Sequence, residues 1–331
     1  MVQGFITSFV AIDFPSRPKR WTGLLNFTAA DLAHALMATG RAPGDVLAHG
    51  IPSMWEFIHR VSVIPAYLEV DPSSRRIMRS DLALSLDRSE KVGLSYAIGQ
   101  AMTGIFSEHK LDVDFLMHVD RYERTFNVRF APGRTRADLF GFSTSGWVVA
   151  EAKGRSNAPE AGLDSKLRSQ KRSIKFIDGS KPSLALGCVS SFPPPNGHMR
   201  LDLVDPEPDE ATSVALQADR DRFLLAYYLP FATAINSATE RSAQQLPDLQ
   251  SQTEYAVGSY PEVGFSLGLP EEIVDFVLRY IDRPADVSGL SEVVDRVIDL
   301  SARGGGTHRD GSFFVVDWEL AEADTSGRQY G

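Results

Sequence analysis

The chain has 331 residues, of which 43% are hydrophobic and 23% charged, so it can bury a large core and is not a disordered polypeptide. Its single cysteine, Cys188, excludes an intramolecular disulfide and argues against a zinc site made of thiolates. No basic region precedes an apolar run at the N-terminus, and the longest apolar stretch, residues 223–235, is too short to span a membrane. We therefore expect a soluble cytoplasmic protein with no membrane partner.

The first third of the chain mixes strand and helix patterns. In chain order, the spacing of apolar residues predicts a strand at 5–12, a helix at 28–38, strands at 61–70 and 77–86, a helix at 89–108 and a strand at 115–119. Thr28 suits the N-cap of the first helix. The sequence Asp-Pro-Ser-Ser-Arg-Arg between the second and third strands predicts that they form a hairpin.

Residues 136–153 have the clearest hairpin pattern in the chain. Two apolar-rich runs flank the Ser-Thr-Ser-Gly sequence at 143–146, whose small residues suit a tight turn. A basic helix is predicted at 159–176, and a buried strand at 183–190. Three consecutive prolines then mark a boundary. We expect an α/β core at 86–195 between an N-terminal α+β extension at 1–85 and a C-terminal one at 196–331.

The C-terminal extension has weaker patterns. They predict a strand at 199–204, an acidic loop at 205–210, a helix at 219–237, a polar linker at 239–254, helices at 270–281 and 290–300, and a strand at 312–320.

Three residues of the 136–153 hairpin carry the chemistry. Glu151 and Lys153 are two positions apart in a strand and so share a face, and the antiparallel partner brings Asp138 across to them. Carboxylates are the ligands that Mg²⁺ prefers, and the backbone carbonyl of Ala152 could add a further oxygen. A neighbouring ammonium group would stabilise negative charge on a phosphate. The pattern therefore predicts a site for Mg²⁺ or Mn²⁺ with Asp138, Glu151 and Lys153 as catalytic residues.

The Glu-x-Lys spacing is not specific by itself, because a chain of this length contains about one copy by chance. A second copy, Glu108-His-Lys110, falls at a predicted helix end without a hairpin, and we assign it no function. The sequence His308-Arg-Asp310 is likewise interpreted as chance, and His118 and His109 as structural and surface histidines. An alternative for the hairpin is a surface element whose charged residues form cross-strand ion pairs.

Positive charge is concentrated around this hairpin. Residues 129–181 contain eleven Lys or Arg and five Asp or Glu, a local charge of +6 that leaves −15 for the rest of a chain whose net charge is −9. The basic segment suits a phosphate-bearing ligand, and the acidic remainder could face a protein partner. Candidate nucleic-acid contacts are Arg136, Arg155, Lys171 and Lys175, the last two on one face of the predicted helix.

The order of elements over residues 89–192 resembles the core of the restriction-endonuclease-like, PD-(D/E)xK phosphodiesterase superfamily. The resemblance implies an α/β fold with a mixed central sheet flanked by helices. It implies that Asp138 and Glu151 are metal ligands and that Lys153 is the catalytic lysine. Gln100 occupies the region of the first helix where many relatives have a glutamate. Gln170 matches a glutamine that RecB-like members carry on the helix after the lysine.

Two main hypotheses about function follow. The first is a cytoplasmic metal-dependent nuclease that hydrolyses phosphodiester bonds, in DNA rather than RNA. The second is a catalytically inactive module of the same fold that binds nucleic acid or protein in a bacterial defence or mobile-element assembly. The negative charge outside the core and the neutral Gln100 motivate the second hypothesis. A third possibility is a structural protein with a chance motif.

Overall fold

A computed structural model describes most of the chain. The described residues are 4–14, 17–126, 137–158, 174–177, 179–194, 197–205, 214–216, 218–245, 253–282, 287–298 and 307–323. Among them, no helix is both long and apolar enough to cross a lipid bilayer.

The protein is a mixed α/β structure built on a central sheet of seven described strands. The strands are β1 (Gly4–Ile12), β2 (Arg20–Thr28), β5 (Phe115–His118), β6 (Leu139–Ser143), β7 (Gly146–Gly154), β9 (Leu184–Ser191) and β10 (Arg200–Val204). Their order across the sheet is β2-β1-β10-β9-β7-β6-β5. The β1–β10 and β7–β9 pairs are parallel and the other pairs antiparallel, so the sheet is mixed. It takes strands from all three segments into which the sequence was divided.

The remaining strands form smaller sheets. They are β3 (Leu68–Val70) paired with β4 (Ile77–Arg79), β8 (Ile174–Ile177) paired with β11 (Val214–Leu216), and a four-stranded sheet of β12 (Glu240–Gln245), β13 (Glu254–Tyr260), β14 (Phe265–Pro270) and β15 (Phe313–Val316).

Helices flank the central sheet and join it to the four-stranded sheet. They are α1 (Ala29–Thr39), α2 (Val46–His49), α3 (Pro52–Tyr67), α4 (Asp81–Ser85), α5 (Arg88–Leu111), α6 (Val119–Phe126), α7 (Arg220–Ser237), α8 (Glu271–Asp282) and α9 (Leu290–Val297). Helix α5 packs on β7 and β9, α1 packs on α5 and β15, and α7 packs on β13 and β14. Every side chain of α7 from Phe223 to Ile235 is buried, so this helix is the centre of the C-terminal core.

Local sequence signals explain the two helices nearest the candidate site. Thr28 and Asp31 form a capping box at the start of α1, and Asp87 and Glu90 form another at the start of α5. Each box satisfies backbone N–H groups that have no partner within the helix. Helix α5 ends at Asp112, whose φ of 56° is left-handed. The predictions for the strand at 5–12, the helices at 28–38 and 89–108, and the 136–153 hairpin are confirmed.

Three predictions about secondary structure are wrong. Residues 61–67 are the end of helix α3 and residues 81–85 are helical, so the predicted hairpin is reduced to β3 and β4. The polar linker at 239–254 contains strand β12. The helix predicted at 159–176 cannot extend to its last residues, because β8 begins at Ile174; the rest of that helix lies outside the described residues.

Candidate functional site

The β6–β7 hairpin brings the three predicted catalytic residues together. Leu139 pairs with Ala150, so Asp138 comes just before β6 at the level of Glu151. On its other side β7 pairs with β9, where Glu151 lies opposite Gly187. Strand β7 is therefore central, and Glu151 and Lys153 lie just past the end of its pairing with β6, beside β9.

The carboxyl groups of Asp138 and Glu151 form a close pair, called the carboxyl pair below. They lie within hydrogen-bonding reach of each other, and Asp138 Oδ2 accepts the backbone N–H of Ala152 at 3.1 Å. Lys153 Nζ donates to Glu151 Oε1. Only 1% of the Glu151 surface is exposed. Two carboxyl groups and one ammonium group thus meet in a largely dehydrated environment.

Burial and mutual repulsion both disfavour full ionisation of this pair. Burial raises the pKa of Asp138 above its ordinary value, although the positive charge of Lys153 acts to lower it. Burial and then the charge of Asp138 raise the pKa of Glu151 to about 7. Close ionisable groups with perturbed pKa values are frequent at functional sites. A divalent cation would favour the fully ionised pair.

Two buried side-chain oxygens, one of them in the carboxyl pair, have no donor among the described residues. Glu151 Oε2 and Gln100 Oε1 are both inaccessible to solvent, and the described part of the chain places no hydrogen-bond donor on either. Buried polar atoms are nearly always satisfied, so the acceptor of Glu151 that has no donor suits a cationic or hydrogen-bonding ligand. Oxygen ligands of this kind suit Mg²⁺ or Mn²⁺.

Close backbone packing holds helix α5 against the end of β7. A Cβ atom at Gly99 would lie 2.6 Å from the backbone nitrogen of Gly154, and one at Gly154 would lie 1.6 Å from the carbonyl oxygen of Ser95. Only glycine at both positions permits this contact. The contact places Gln100, the residue after Gly99, beside the strand that carries Glu151 and Lys153.

We expect Gly154→Ala to lower the free energy of unfolding by about 2–3 kcal/mol, because the added methyl group meets backbone atoms that cannot move without displacing α5. Urea denaturation measures the change. Gly93→Ala is the matched control, since a Cβ atom at this α5 position meets nothing within 4 Å. It should stabilise the protein by about 0.5–1 kcal/mol through helix propensity. Equal effects of the two substitutions would contradict the close contact.

The structure describes only some of the predicted nucleic-acid contacts and supporting residues. Arg136, Gln170 and Lys171 lie outside the described residues. Lys175 lies in strand β8, so the prediction that it shares a helix face with Lys171 is wrong. Arg155 follows β7, and its Nη1 donates to the Gly154 carbonyl at 3.0 Å. Its guanidinium group is thus turned back onto the end of the strand.

Sequence reasoning missed Tyr96 and underrated His118. The Tyr96 hydroxyl accepts from Gln100 Nε2 at 2.9 Å and lies 3.1 Å from His118 Nε2, and the charge of Asp138 acts on it. A signal for Tyr96 was present, because it lies four residues before Gln100 and therefore on the same helix face. No sequence signal joins His118 to this group, since the contact depends on the packing of β5 against α5.

A second buried group, called the histidine cluster below, is made of Asp31, His34, Glu108, His308 and Asp310. It includes residues of both sequence fragments to which no function was assigned, Glu108-His-Lys110 and His308-Arg-Asp310. Glu108 lies 3.7 Å from His34 Nδ1 and 3.2 Å from His308 Nδ1. Among the described residues, His34, Glu108 and His308 are one group whose spacing could hold a metal ion. However, the two imidazole rings stack at 3.8 Å with an interplanar angle of 11°. Lone pairs in parallel ring planes do not converge on one ion, so we interpret the cluster as an ion-pair network.

Hydrogen bonds and charges in the histidine cluster support that interpretation. Burial lowers the pKa of His308, but the charge and hydrogen bond of Glu108 outweigh burial and raise it to about 9. Burial alone would raise the pKa of Glu108, yet the two histidines hold it below its ordinary value. The cluster fastens the segment after α9 to α1 and α5. A cavity of about 800 Å³ adjoins it, lined by residues that include Asp31, Glu108 and Trp318.

Comparisons with known proteins identify no relative of this chain. No protein-family model matches the chain. Neither the curated proteins nor the solved structures contain a match. The functional assignment therefore depends on the residues themselves.

Proposed function

We propose that the protein is a metal-dependent nuclease of the PD-(D/E)xK type that hydrolyses phosphodiester bonds in DNA. The observation that carries the proposal is the buried carboxyl pair in contact with Lys153, with one Glu151 oxygen that has no donor among the described residues. An ion-paired surface hairpin would not explain the burial of Glu151 or this unpaired oxygen. The seven-stranded mixed sheet with flanking helices is compatible with a restriction-endonuclease-like core.

The residues of the site fit a divalent cation. Asp138 and Glu151 would hold it through the oxygens that Ala152 and Lys153 leave free. The amide and carbonyl of one strand residue face the same neighbour, so the Ala152 carbonyl is directed to the side of Asp138 and could be a further ligand. When bound, Mg²⁺ would polarise the scissile phosphate and lower the pKa of a bound water.

Lys153 supplies the positive charge for the substrate. With its ammonium group on Glu151 Oε1, it is held at the carboxyl pair and can stabilise negative charge that develops on the phosphate. Together with the basic segment at 129–181, this positive charge supports a nucleic acid as the substrate.

The test is cleavage of supercoiled plasmid, single-stranded DNA and RNA by the full chain, with Mg²⁺, with Mn²⁺ and with a chelator. Cleavage that requires the metal and is abolished by Asp138→Asn is the expected result. Cleavage that survives the chelator would overturn the proposal. Products labelled at either end separate endonuclease from exonuclease action.

The alternative is a non-catalytic module of the same fold, and the neutral Gln100 favours it. Such a module would bind DNA or protein without hydrolysis. Calorimetry with Mn²⁺ and a DNA-binding assay distinguish the two functions. DNA binding with no cleavage under any metal would establish the module in place of the nuclease.

A further inference from the structure

Strand β2 is the outermost described strand at one end of the central sheet, and its outer edge is open. Its 9 residues pair with β1 without a break in register. In the same ladder the Asp13 N–H donates to the Lys19 carbonyl at 3.0 Å, so the odd-numbered residues of β2 bond to β1. The even-numbered residues Arg20, Thr22 and Leu24 therefore point their N–H and C=O groups outward, where no described group bonds to them.

This open edge is limited at both ends. Pro18 precedes β2, and a proline has no N–H to donate to a neighbouring strand. At the other end, His109 Nδ1 lies 3.1 Å from the Asn26 carbonyl oxygen and occupies the edge there. A strand that pairs with β2 thus has room only between these two positions. Thr22 is the residue midway between them.

The chain protects two other strand edges but not this one. Proteins prevent unwanted pairing by covering an edge strand or by placing charges or proline on it. Every side chain of β5, at the opposite end of the central sheet, is buried, and β12, at the edge of the four-stranded sheet, carries Glu240 and Arg241. Residues 21–25 of β2 contain no charge and no proline, and Leu24 is 48% exposed. The edge of β2 is therefore suited to pairing with another strand.

The residues at this edge are complementary to themselves. An antiparallel second copy centred on Thr22 places Thr22 opposite Thr22 and Arg20 opposite Leu24. Threonine pairs are favourable cross-strand neighbours, and the aliphatic stem of an arginine can cover an exposed leucine. Trp21 comes opposite Gly23, and an aromatic ring stabilises a glycine in a neighbouring strand. Arg20 is the one charged residue at 20–24 and does not face its own copy, so no like charges oppose each other.

We propose that two copies of the chain form a dimer by antiparallel pairing of their β2 strands over residues 20–24, with Thr22 on the twofold axis. The pairing joins the two central sheets into one. The axis is perpendicular to the sheet, so the side chains of both copies of Glu151 lie on the same face. Strand β7 is four strands from β2, so the two carboxyl pairs are about 40 Å apart along the sheet. The dimer does not depend on the proposed function, and either can fail without the other.

The first experiment is disulfide cross-linking of the full chain. The native Cys188 is buried, so an introduced cysteine reacts by itself. Thr22→Cys should give a covalent dimer on mild oxidation, because the two Cα atoms at the axis are about 5.5 Å apart, within the range for a disulfide. Asn26→Cys is the matched control, since it lies on the same exposed face of β2 but outside the pairing. Equal cross-linking of the two variants, or none of Thr22→Cys, would overturn the proposal.

The second experiment tests the register by sedimentation velocity. The wild type should form a species of twice 36.4 kDa whose fraction rises with protein concentration. Leu24→Lys places a cation opposite Arg20 at two symmetric positions and should weaken the dimer by about tenfold. Adding Arg20→Glu should restore it, because these side chains meet only between copies. A wild type that is monomeric at every concentration, or a Leu24→Lys defect that Arg20→Glu does not reverse, would refute this dimer.

Discussion

Lys153→Ala is expected to lower the rate of Mg²⁺-dependent DNA cleavage by about 10²–10³-fold, the usual effect of removing one group that stabilises charge in a transition state. The ammonium group of Lys153 lies at the carboxyl pair, where it can meet a phosphate oxygen. Its loss also removes a hydrogen bond and a favourable charge from the buried Glu151, so the pKa of Glu151 should rise further. Initial rates on a labelled duplex at saturating Mg²⁺ measure the effect.

The second Glu-x-Lys copy provides the control for this experiment. Lys110 ends the sequence Glu108-His-Lys110 on helix α5, away from the hairpin. Lys110→Ala removes the same charge from the chain and should leave the cleavage rate unchanged. A wild-type rate in the Lys153 variant, with an intact fold by circular dichroism, would remove Lys153 from the active site and refute the proposed mechanism.

Asp310→Ala should produce the largest loss of stability, a decrease of about 3–5 kcal/mol in the free energy of unfolding. This carboxylate is fully buried and accepts from His34 Nε2 at 2.9 Å, from the Tyr227 hydroxyl at 2.7 Å, and from the N–H and hydroxyl groups of Ser312. Removing it leaves several buried donors without an acceptor. Asp317→Ala, at an exposed position of the same segment, should have little effect.

The pH dependence of stability checks the same network. The pKa of His308 is about 9 in the folded protein against 6.5 for a free histidine, so folding favours the protonated ring. Its contribution is complete below pH 6.5 and is lost as the pH rises to 9, a decrease of up to about 3 kcal/mol in the free energy of unfolding. Glu108→Gln removes the main favourable charge and should flatten this decline. A wild-type curve that rises over this range would contradict the ion-pair interpretation.

The elements that were predictable from sequence are those fixed by neighbouring residues. The capping boxes at Thr28 and Asp87 and the Ser-Thr-Ser-Gly turn of the β6–β7 hairpin are local signals. The hairpin prediction also brought Asp138, Glu151 and Lys153 together, because strand alternation and register are enough to define which side chains meet.

The errors occur where distant packing decides the conformation. Residues 61–67 contain Val61, Val63 and Ile64, whose branched side chains favour a strand, yet the buried face of α3 makes the segment helical. Strand β12 is polar because it is an edge strand that pairs with β13 alone among the described strands. In the histidine cluster, His34 contacts Asp310, which is 276 positions away, and no local sequence pattern indicates such a contact.

The position of β10 in the central sheet has a consequence during synthesis of the chain. Strand β1 pairs with β10 in parallel, with Ser8 opposite Arg200, so its inner edge stays open until the roughly 190 residues between them have been made. At about 5–20 residues per second, this interval lasts roughly 10–40 s. An open edge rich in apolar residues is a site for pairing with other chains. Soluble yield should therefore depend on how well the nascent N-terminal strands are shielded until Arg200–Val204 emerges.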